Sequence, residues 1–251
     1  MSTVLATYNI KGGVGKTSAA VNLAYQAAAG GARVLLWDLD PQGAATYLLR
    51  VKPRIKGGGK KLVRGRSDVD RLVRGTDFER LDLLPADFSY RHMDLALDAT
   101  KKPTRRLARV LAPVTDEYDY IFLDCPPSIS LVSESVFEAA DVLLVPIIPA
   151  PLSSRTFQQL RDVVAAAAAS PRVMAFFSMV DRRKRLHGDL IASLAADHGE
   201  ILHAAIPSAI DVERMGERRT VLDAFAPRGR AAEAYRALWH EIHERLAAEV
   251  A

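Results

Sequence analysis

The sequence predicts an α/β fold: a single domain whose mostly parallel, twisted sheet is flanked by helices. Three observations lead to this class. Short apolar runs of strand character alternate along the chain with longer segments of helical periodicity. Four of the five clearest runs are almost entirely apolar, as is typical of strands covered on both faces. The repeated order of strand, helix and strand favours parallel pairing through crossover helices.

Each predicted element follows from a local pattern. The predicted strands lie at residues 4–9, 33–38, 120–124, 142–147 and 173–180. Helices are predicted at 17–29 and 154–169, because both segments have helical periodicity. The first ends at Gly30-Gly31 and the second at Ser170-Pro171, which are helix-breaking pairs. The segment at 230–250 spaces apolar residues four apart among charged ones, which predicts one amphipathic helix packed on the body. We expect a single domain over residues 1–251.

The composition excludes several classes of protein. The 251 residues carry 34 Lys+Arg and 30 Asp+Glu, a formal net charge of +4, and 49% of them are hydrophobic. A chain of this size buries about 70% of its extended surface, so it needs no covalent support. The single cysteine, Cys125, excludes an internal disulfide framework, and no Cys or His pair has zinc spacing. No export signal or membrane-length apolar run is present, so we expect a cytoplasmic protein.

One segment departs from the average composition. Residues 50–74 hold ten basic residues against two acidic ones, with three consecutive glycines at 57–59. This pattern predicts a mobile basic insertion on the surface rather than a domain boundary.

The segment between the first strand and the first helix points to a nucleotide. It reads Asn9-Ile10-Lys11-Gly12-Gly13-Val14-Gly15-Lys16-Thr17-Ser18. Its glycines permit a tight turn that presents backbone N–H groups to phosphate oxygens at the start of a helix. Lys16 is placed to meet the β and γ phosphates, and the Thr17 hydroxyl to bind Mg²⁺. The strict P-loop pattern needs glycine where Ile10 stands, but the context predicts a P-loop NTPase that binds ATP and Mg²⁺.

Two acidic segments follow predicted strands. The first reads Trp37-Asp38-Leu39-Asp40-Pro41-Gln42-Gly43, and the second reads Tyr120-Ile121-Phe122-Leu123-Asp124-Cys125-Pro126-Pro127-Ser128. Open α/β sheets bind ligands at the carboxyl ends of their strands. An apolar strand that ends in Asp124 is the Walker B arrangement, in which the carboxylate supports Mg²⁺. We expect Cys125 to be buried and unreactive.

The run Lys-Gly-Gly-Val-Gly-Lys-Thr at 11–17 is similar to the deviant Walker A motif of the ParA/MinD family of ATPases. In that family the lysine at the position of Lys11 reaches across a nucleotide-sandwich dimer to the partner's phosphates. The resemblance therefore implies an ATP-dependent homodimer. It also implies that Asp40 orients or activates the attacking water and that Asp38 supports the Mg²⁺ shell through water. The implied catalytic residues are Lys11, Lys16 and Asp40.

The resemblance continues through segments 81–86, 145–149, 206–208 and 227–235. By position it places three further residues near adenine. The residues expected to bind the nucleotide are Lys11, Gly12, Gly13, Val14, Gly15, Lys16, Thr17, Ser18, Asp181, Pro207 and Ser208. The residues expected to support the metal are Thr17, Asp38 and Asp124.

The early phosphate loop resembles that of short, Soj-like ParA proteins, which lack an N-terminal helix-turn-helix domain. Those proteins bind DNA without sequence preference as ATP dimers, and an activator stimulates hydrolysis, so that gradients on the nucleoid position a cargo. The resemblance implies non-specific DNA and an activator of ParB type, or a cargo-specific equivalent, as partners of a nucleoid-associated protein. Phosphate contacts need only clustered cations. The candidates are Arg182, Arg183, Lys184, Arg185, Arg214, Arg218, Arg219, Arg228 and Arg230.

Three alternatives are weighed against this interpretation. A MinD-like membrane-bound regulator of cell division is disfavoured, because the end of the chain lacks a basic amphipathic helix. Metabolic or electron-transfer relatives need two cluster cysteines or a Cys-x-x-Cys motif, and Cys125 alone satisfies neither. The run at 240–243 lacks the second histidine of a zinc protease, because Glu244 stands there.

Against the favoured interpretation, Asp211 occupies a position that is usually basic in Soj-like relatives, so either DNA binding is weaker or Arg214 and Arg218 compensate.

Overall fold

The structure, a computed structural model, describes residues 2–248 and contains a sheet of seven strands. The strands are β1 (Thr3–Thr7), β2 (Val34–Asp38), β3 (Arg74–Gly75), β4 (Leu81–Leu84), β5 (Tyr120–Asp124), β6 (Val142–Ile147) and β7 (Arg172–Phe177). Their order across the sheet is β3-β4-β2-β5-β1-β6-β7, and every neighbouring pair is parallel except β3 with β4. The predicted α/β class with a mostly parallel sheet is confirmed.

Helices cover both faces of this sheet. They are α1 (Lys16–Ala29), α2 (Ala44–Leu48), α3 (Gly58–Val63), α4 (Met93–Asp98), α5 (Arg106–Leu111), α6 (Leu131–Ala139), α7 (Ser153–Ala166), α8 (Arg185–Asp197), α9 (Ile210–Arg218), α10 (Leu222–Phe225) and α11 (Arg230–Ala247). Short 3₁₀ turns lie at Phe88–His92, Pro103–Arg105 and Ala112–Val114. One buried apolar cluster packs α3 to α8 on one face, and a second packs α1, α9, α10 and α11 on the other.

The predicted elements agree with the structure to within a few residues at their ends. All five predicted strands form, although β7 ends at Phe177 because Met179 adopts a left-handed backbone conformation with φ of 56°. The helix predicted at 154–169 ends at Ala166, since Ala167 is extended. The helix predicted at 230–250 is described as far as Ala247, and residues 249 and 250 lie outside the described residues.

The segment at 50–74 differs from its prediction. Its cations lie at the surface, but it is not a loose insertion, because it forms α3 and contributes apolar side chains to the core. The buried residues are Ile55, Leu62, Val63, Val69 and Leu72. Ten basic residues and three consecutive glycines dominate the composition of this segment, and they favour a surface loop over a packed element at the sequence level. The segment is therefore an integral part of the domain.

Candidate nucleotide-binding site

The carboxyl ends of three adjacent strands define one edge of the sheet. In the parallel register, Thr7 of β1 and Asp38 of β2 both stand level with Asp124 of β5. The glycine loop, defined as residues 9–18, leaves β1 at this same edge and leads into α1. The sheet topology thus brings together the residues that the sequence predicts as a site.

The glycine loop has a backbone that only glycine adopts easily. Gly13 and Gly15 have φ of 71° and 93°, in the left-handed region. A Cβ atom on Gly15 would lie 3.0 Å from the Ser178 hydroxyl, so a side chain here would also crowd Ser178. Asn9 holds the start of the loop, because its amide donates to the Pro146 carbonyl at 2.8 Å and accepts from Lys11 N at 2.9 Å.

The start of α1 is open to an anion. No side chain caps it, and its first turn contains no acidic residue, so its free N–H groups and positive dipole end are uncompensated. Val14 is buried beneath the loop, whereas Lys11, Gly12 and Gly13 are exposed. Thr17 and Ser18 in the first turn are half-buried. This arrangement can cradle phosphate oxygens.

Lys16 is buried at the base of the loop. Its ammonium donates to the Lys11 carbonyl at 3.1 Å, which folds the side chain back over the loop. Burial lowers the pKa of Lys16, and the nearby Asp124 carboxylate opposes that shift. The ammonium is therefore placed to bind phosphate from within the loop rather than from solvent.

Asp124 holds an unsatisfied buried atom. Its carboxyl group is fully buried, Oδ1 accepts from the Thr7 hydroxyl at 3.4 Å, and Oδ2 finds no hydrogen-bond partner among the described residues. Burial and the neighbouring Asp38 raise the pKa of Asp124 well above its usual range, while the nearby Thr17 hydroxyl lowers it. A buried carboxyl oxygen without a donor is costly. Thr17 and Asp124 therefore fit a hydrated Mg²⁺ ion.

The Asp38 carboxylate accepts hydrogen bonds from other residues of the protein. Its Oδ2 accepts from the Thr46 N–H at 2.8 Å and from the Thr46 hydroxyl at 2.7 Å, and Oδ1 accepts from Asp40 N at 3.2 Å. Burial raises its pKa to about 6, against these hydrogen bonds. Asp38 thus fastens the start of α2 to the end of β2, and only Oδ1 retains capacity for a water molecule.

Asp40 is more accessible than the other two carboxylates. It is half-buried, and its Oδ1 accepts from Gln42 N at 2.9 Å. Its backbone carbonyl accepts from Gly43 N at 2.9 Å, which closes the turn before α2. Within residues 2–248 its second oxygen has no hydrogen-bond partner, so it can accept from a water molecule at the edge of the site.

The three residues expected near adenine lie together beyond β7. A parallel bridge pairs Val180 with Pro207, and Ser208 N donates to the Val180 carbonyl at 2.9 Å. The carboxylate of Asp181 accepts from Arg183 Nε at 3.0 Å and from Nη2 at 3.1 Å. Hydrogen bonds from Arg183 lower the pKa of Asp181 to about 2.

The candidate DNA-binding cations occupy three adjoining segments. Arg182 and Arg230 line one groove of about 450 Å³, which joins the segment after β7 to the start of α11. A Cβ atom on Gly229 would lie 3.2 Å from Asp211 Oδ2, so the start of α9 also lies beside α11. The tertiary structure therefore brings Arg182 beside Arg230 and the start of α9 beside the start of α11, and we name the nine candidate cations together the α9/α11 basic surface.

Several of these cations have partners. Arg214 pairs with Asp211 at 3.7 Å and Arg185 with Asp189 at 3.9 Å. The Arg219 guanidinium stacks on the Tyr47 ring, 4.4 Å from its centroid. Six of the nine candidate cations have no carboxylate at salt-bridge distance within the described residues. They are Arg182, Lys184, Arg218, Arg219, Arg228 and Arg230.

Some residues that shape the site escaped the sequence analysis. Thr46 fixes Asp38, Asn9 fixes the loop, and Ser178 approaches Gly15 from β7. Only Asn9 had a signal, its place directly before the glycine loop. Cys125 is buried as predicted, and burial raises the pKa of its thiol.

Two other site types find no support in residues 2–248. No group of three His, Cys, Asp or Glu side chains is arranged to hold a metal ion. None of the described helices combines the length and the apolar character that crossing a membrane requires.

Comparison with known proteins gives consistent results. The chain matches the AAA domain family over residues 2–172. It is 30% identical over 249 residues to the sporulation initiation inhibitor protein Soj of Bacillus subtilis, covering 96% of this chain and 98% of Soj. It is 31% identical over 218 residues to the chromosome partitioning protein ParA of Caulobacter vibrioides, covering 83% of this chain and 82% of that protein.

A solved structure shares the fold. It is cobyrinic acid a,c-diamide synthase from Mycobacterium smegmatis with a bound ATP analogue and magnesium, which superposes with a TM-score of 0.82 at 24% identity. The superposition covers 98% of this chain and 96% of the other. At this level of identity, the similarity establishes the architecture.

Proposed function

The chain belongs to the ParA/MinD family of P-loop ATPases, and we propose that it is a ParA-type ATPase that dimerises around ATP and binds DNA without sequence preference. Hydrolysis, stimulated by a partner protein, would then release it from DNA and so position or segregate a cargo. The cargo would be a chromosome, a plasmid or a protein complex. The observation that carries the proposal is the unpartnered Asp124 Oδ2 beside buried Lys16 and the left-handed glycine loop.

The glycine loop supports phosphate binding. Backbone N–H groups at residues 12–17 and the Lys16 ammonium would hold the phosphates, with Val14 and Ser18 shaping the turn around them. Thr17 and Asp124 would hold Mg²⁺, Asp38 would support its hydration shell through water, and the ion would neutralise charge on the phosphate oxygens. Asp181, Pro207 and Ser208 would lie beside the adenine ring.

Asp40 is suited to orient water. Its free oxygen would accept a hydrogen bond from the water that attacks the γ phosphate. Because its other oxygen is held by Gln42 N, the carboxylate has a defined orientation at the edge of the site. Hydrolysis by the protein alone should be slow, because the half-exposed edge still admits bulk water.

Lys11 is suited to act in a second subunit. Its side chain is exposed and has no carboxylate partner within residues 2–248, while Asn9 fixes its backbone N–H. In an ATP-sandwich dimer, Lys11 would contact the phosphates of the partner. The expected result is that Lys11→Ala binds ATP as a monomer but does not dimerise, as measured by light scattering with and without ATP. Dimerisation of this variant at the wild-type level would contradict this role.

The α9/α11 basic surface supports DNA binding. Arg182 and Arg230 line the same groove, α9 begins beside α11, and phosphate contacts require only clustered cations. Lys184 extends this surface from the segment after β7. The name of the chromosome partitioning protein ParA from Caulobacter vibrioides favours a role in chromosome segregation.

The test is binding to labelled duplex DNA of arbitrary sequence, measured by fluorescence anisotropy with ATP, ADP or no nucleotide at two salt concentrations. We expect binding only with ATP, weakening steeply as salt rises. Absence of binding in every state would overturn the DNA part of the proposal. ATP-dependent binding to anionic vesicles in place of DNA would instead favour the alternative, a MinD-like membrane-associated spatial regulator of cell division.

A further inference from the structure

The basic lobe, defined as residues 50–74, is the most strongly charged segment of the chain. Nine of its ten cations are exposed, and only Arg64 is half-buried. We propose that this lobe is a second surface that contacts the phosphate backbone of duplex DNA, adjoining the α9/α11 basic surface. The inference rests on the proposed function, because it extends the DNA footprint beyond the candidates already named.

The lobe holds its charges on a fixed support. Five of its apolar side chains are buried in the core, and Ile55 N donates to Asp87 Oδ2 at 3.0 Å. Gly59 N donates to the Ser89 hydroxyl at 2.8 Å, and a Cβ atom on Gly59 would lie 2.8 Å from the Tyr90 ring. This contact seats α3 directly on the turn after β4. The backbone that carries the cations therefore needs little ordering when they meet a ligand.

The charges of the lobe are mostly uncompensated. Arg50 pairs with Asp77 at 3.5 Å, and Arg71 pairs with Asp68 at 3.1 Å. The other eight cations have no carboxylate oxygen at salt-bridge distance among the described residues. They are Lys52, Arg54, Lys56, Lys60, Lys61, Arg64, Arg66 and Arg74. Such a cluster raises the local positive potential, which attracts a polyanion.

The chemistry of the surface favours nucleic acid over an acidic protein. None of the exposed large apolar side chains of the described chain falls within residues 50–74. Stable protein interfaces have an apolar or aromatic centre, and their energy concentrates there. Contacts with a phosphate backbone need no such centre. A polyanion of regularly spaced phosphates fits a segment whose exposed side chains are mostly cations.

The lobe is joined to the α9/α11 basic surface. Arg50 Nε donates to the Arg219 carbonyl at 2.9 Å, and Arg50 Nη2 donates to the Arg218 carbonyl at 3.2 Å. Because Arg218 is itself a candidate DNA contact at the end of α9, one basic surface continues into the other. A duplex carries a negative charge about every 1.7 Å along its axis, so it can engage neighbouring cations along such a path.

The test compares two double variants of the full chain. Lys56→Gln/Lys60→Gln removes two lobe charges whose side chains make no hydrogen bond or ion pair in the described structure. Lys101→Gln/Lys102→Gln removes two exposed charges between α4 and α5, outside the lobe and the α9/α11 basic surface. Both variants change the net charge equally. Anisotropy with duplex DNA and ATP is measured at several salt concentrations.

The lobe variant should lower the slope of log affinity against log salt by about 1.8, since each lost phosphate contact contributes about 0.9. The Lys101/Lys102 variant should keep the wild-type slope, and both should keep the wild-type melting temperature and basal ATP hydrolysis. A wild-type slope in the lobe variant, together with a reduced slope in Arg218→Gln, would overturn the inference and leave the proposed function standing.

Two further outcomes are distinguishable. If the wild-type protein binds no DNA in any nucleotide state, the proposed function fails and the inference fails with it. If the lobe variant binds DNA normally but its ATP hydrolysis responds less to an activator protein, the lobe contacts an acidic protein partner. That result would also overturn the inference.

Discussion

Two regions of the molecule constrain their residues differently. One is the sheet edge that holds the glycine loop, and the other consists of the two basic surfaces. At the sheet edge, Lys16, Asp38 and Asp124 are buried, and each has a defined neighbour or a single unsatisfied atom. On the basic surfaces most cations are exposed, and many have no acidic partner. A buried site depends on each residue separately, whereas an exposed surface depends on the sum of its charges.

This contrast predicts large effects for single substitutions at the sheet edge and small ones on the basic surfaces. A buried polar group that loses its partner costs about 1–3 kcal/mol. An exposed charge contributes about 0–1 kcal/mol to a pairwise contact. The substitutions below test the contrast in order of decreasing effect.

The largest effect is expected for Lys16→Ala. Loss of a buried ammonium that binds phosphate should weaken ATP binding about 100-fold and abolish hydrolysis, because a hydrogen bond to a charged group contributes about 1.5–3 kcal/mol. The measurement is titration with a fluorescent ATP analogue. Lys184→Ala, which removes an exposed lysine, is the matched control and should bind ATP normally. Equal ATP affinities of the two variants would show that Lys16 does not contribute to phosphate binding.

Asp40→Ala should slow ATP hydrolysis about 100-fold while leaving ATP affinity within a factor of two, because a group that orients water acts mainly in the transition state. ATP-bound dimers should then persist longer in light-scattering experiments. Asp98→Ala, at an exposed position on α4, provides the control. An Asp40→Ala variant that turns over ATP at the wild-type rate would remove Asp40 from the mechanism.

Gly15→Ala and Gly31→Ala separate backbone strain from nucleotide binding. Both glycines have positive φ, 93° and 97°, so each substitution should lower the free energy of unfolding by about 1–2 kcal/mol. Only Gly15→Ala should also weaken ATP binding, because Gly15 belongs to the glycine loop and its Cβ would press on Ser178 after β7. Denaturant unfolding and ATP titration of both variants check this. Equal ATP affinities would show that the loop tolerates the added atom.

The smallest effect is expected for Asp211→Asn. This change removes the carboxylate that pairs with Arg214 at 3.7 Å and adds one unit of positive charge to the α9/α11 basic surface. DNA affinity with ATP should rise about threefold at low salt, consistent with an exposed charge interaction. Asp98→Asn changes the net charge equally and should have no effect. A fall in DNA affinity for Asp211→Asn would indicate that Asp211 has a structural role beside Gly229.

The two regions also differ in how far the sequence predicts them. Glycines, a lysine and a threonine at fixed spacing mark the loop, and an apolar run marks the strand that ends in Asp124. Such patterns involve residues close together in sequence, so they can be recognised without knowledge of the fold. The edge strand β3 was missed, because two residues paired antiparallel to β4 carry no periodic signal. The buried apolar residues of the basic lobe were missed for another reason, because the surrounding cations and glycines indicate a surface loop.

Sequence patterns are enough to predict the parallel α/β class, the glycine loop and the carboxylates that end β2 and β5. These follow from hydrophobic periodicity and from residue types at fixed spacing, which depend on neighbours along the chain. Three further features are visible in the tertiary structure alone. Thr46 donates a hydrogen bond to Asp38, Asp124 Oδ2 has no partner among the described residues, and Arg50 donates to a carbonyl at the end of α9. These contacts join residues from different elements. They come within contact distance only because the sheet and its helices pack together.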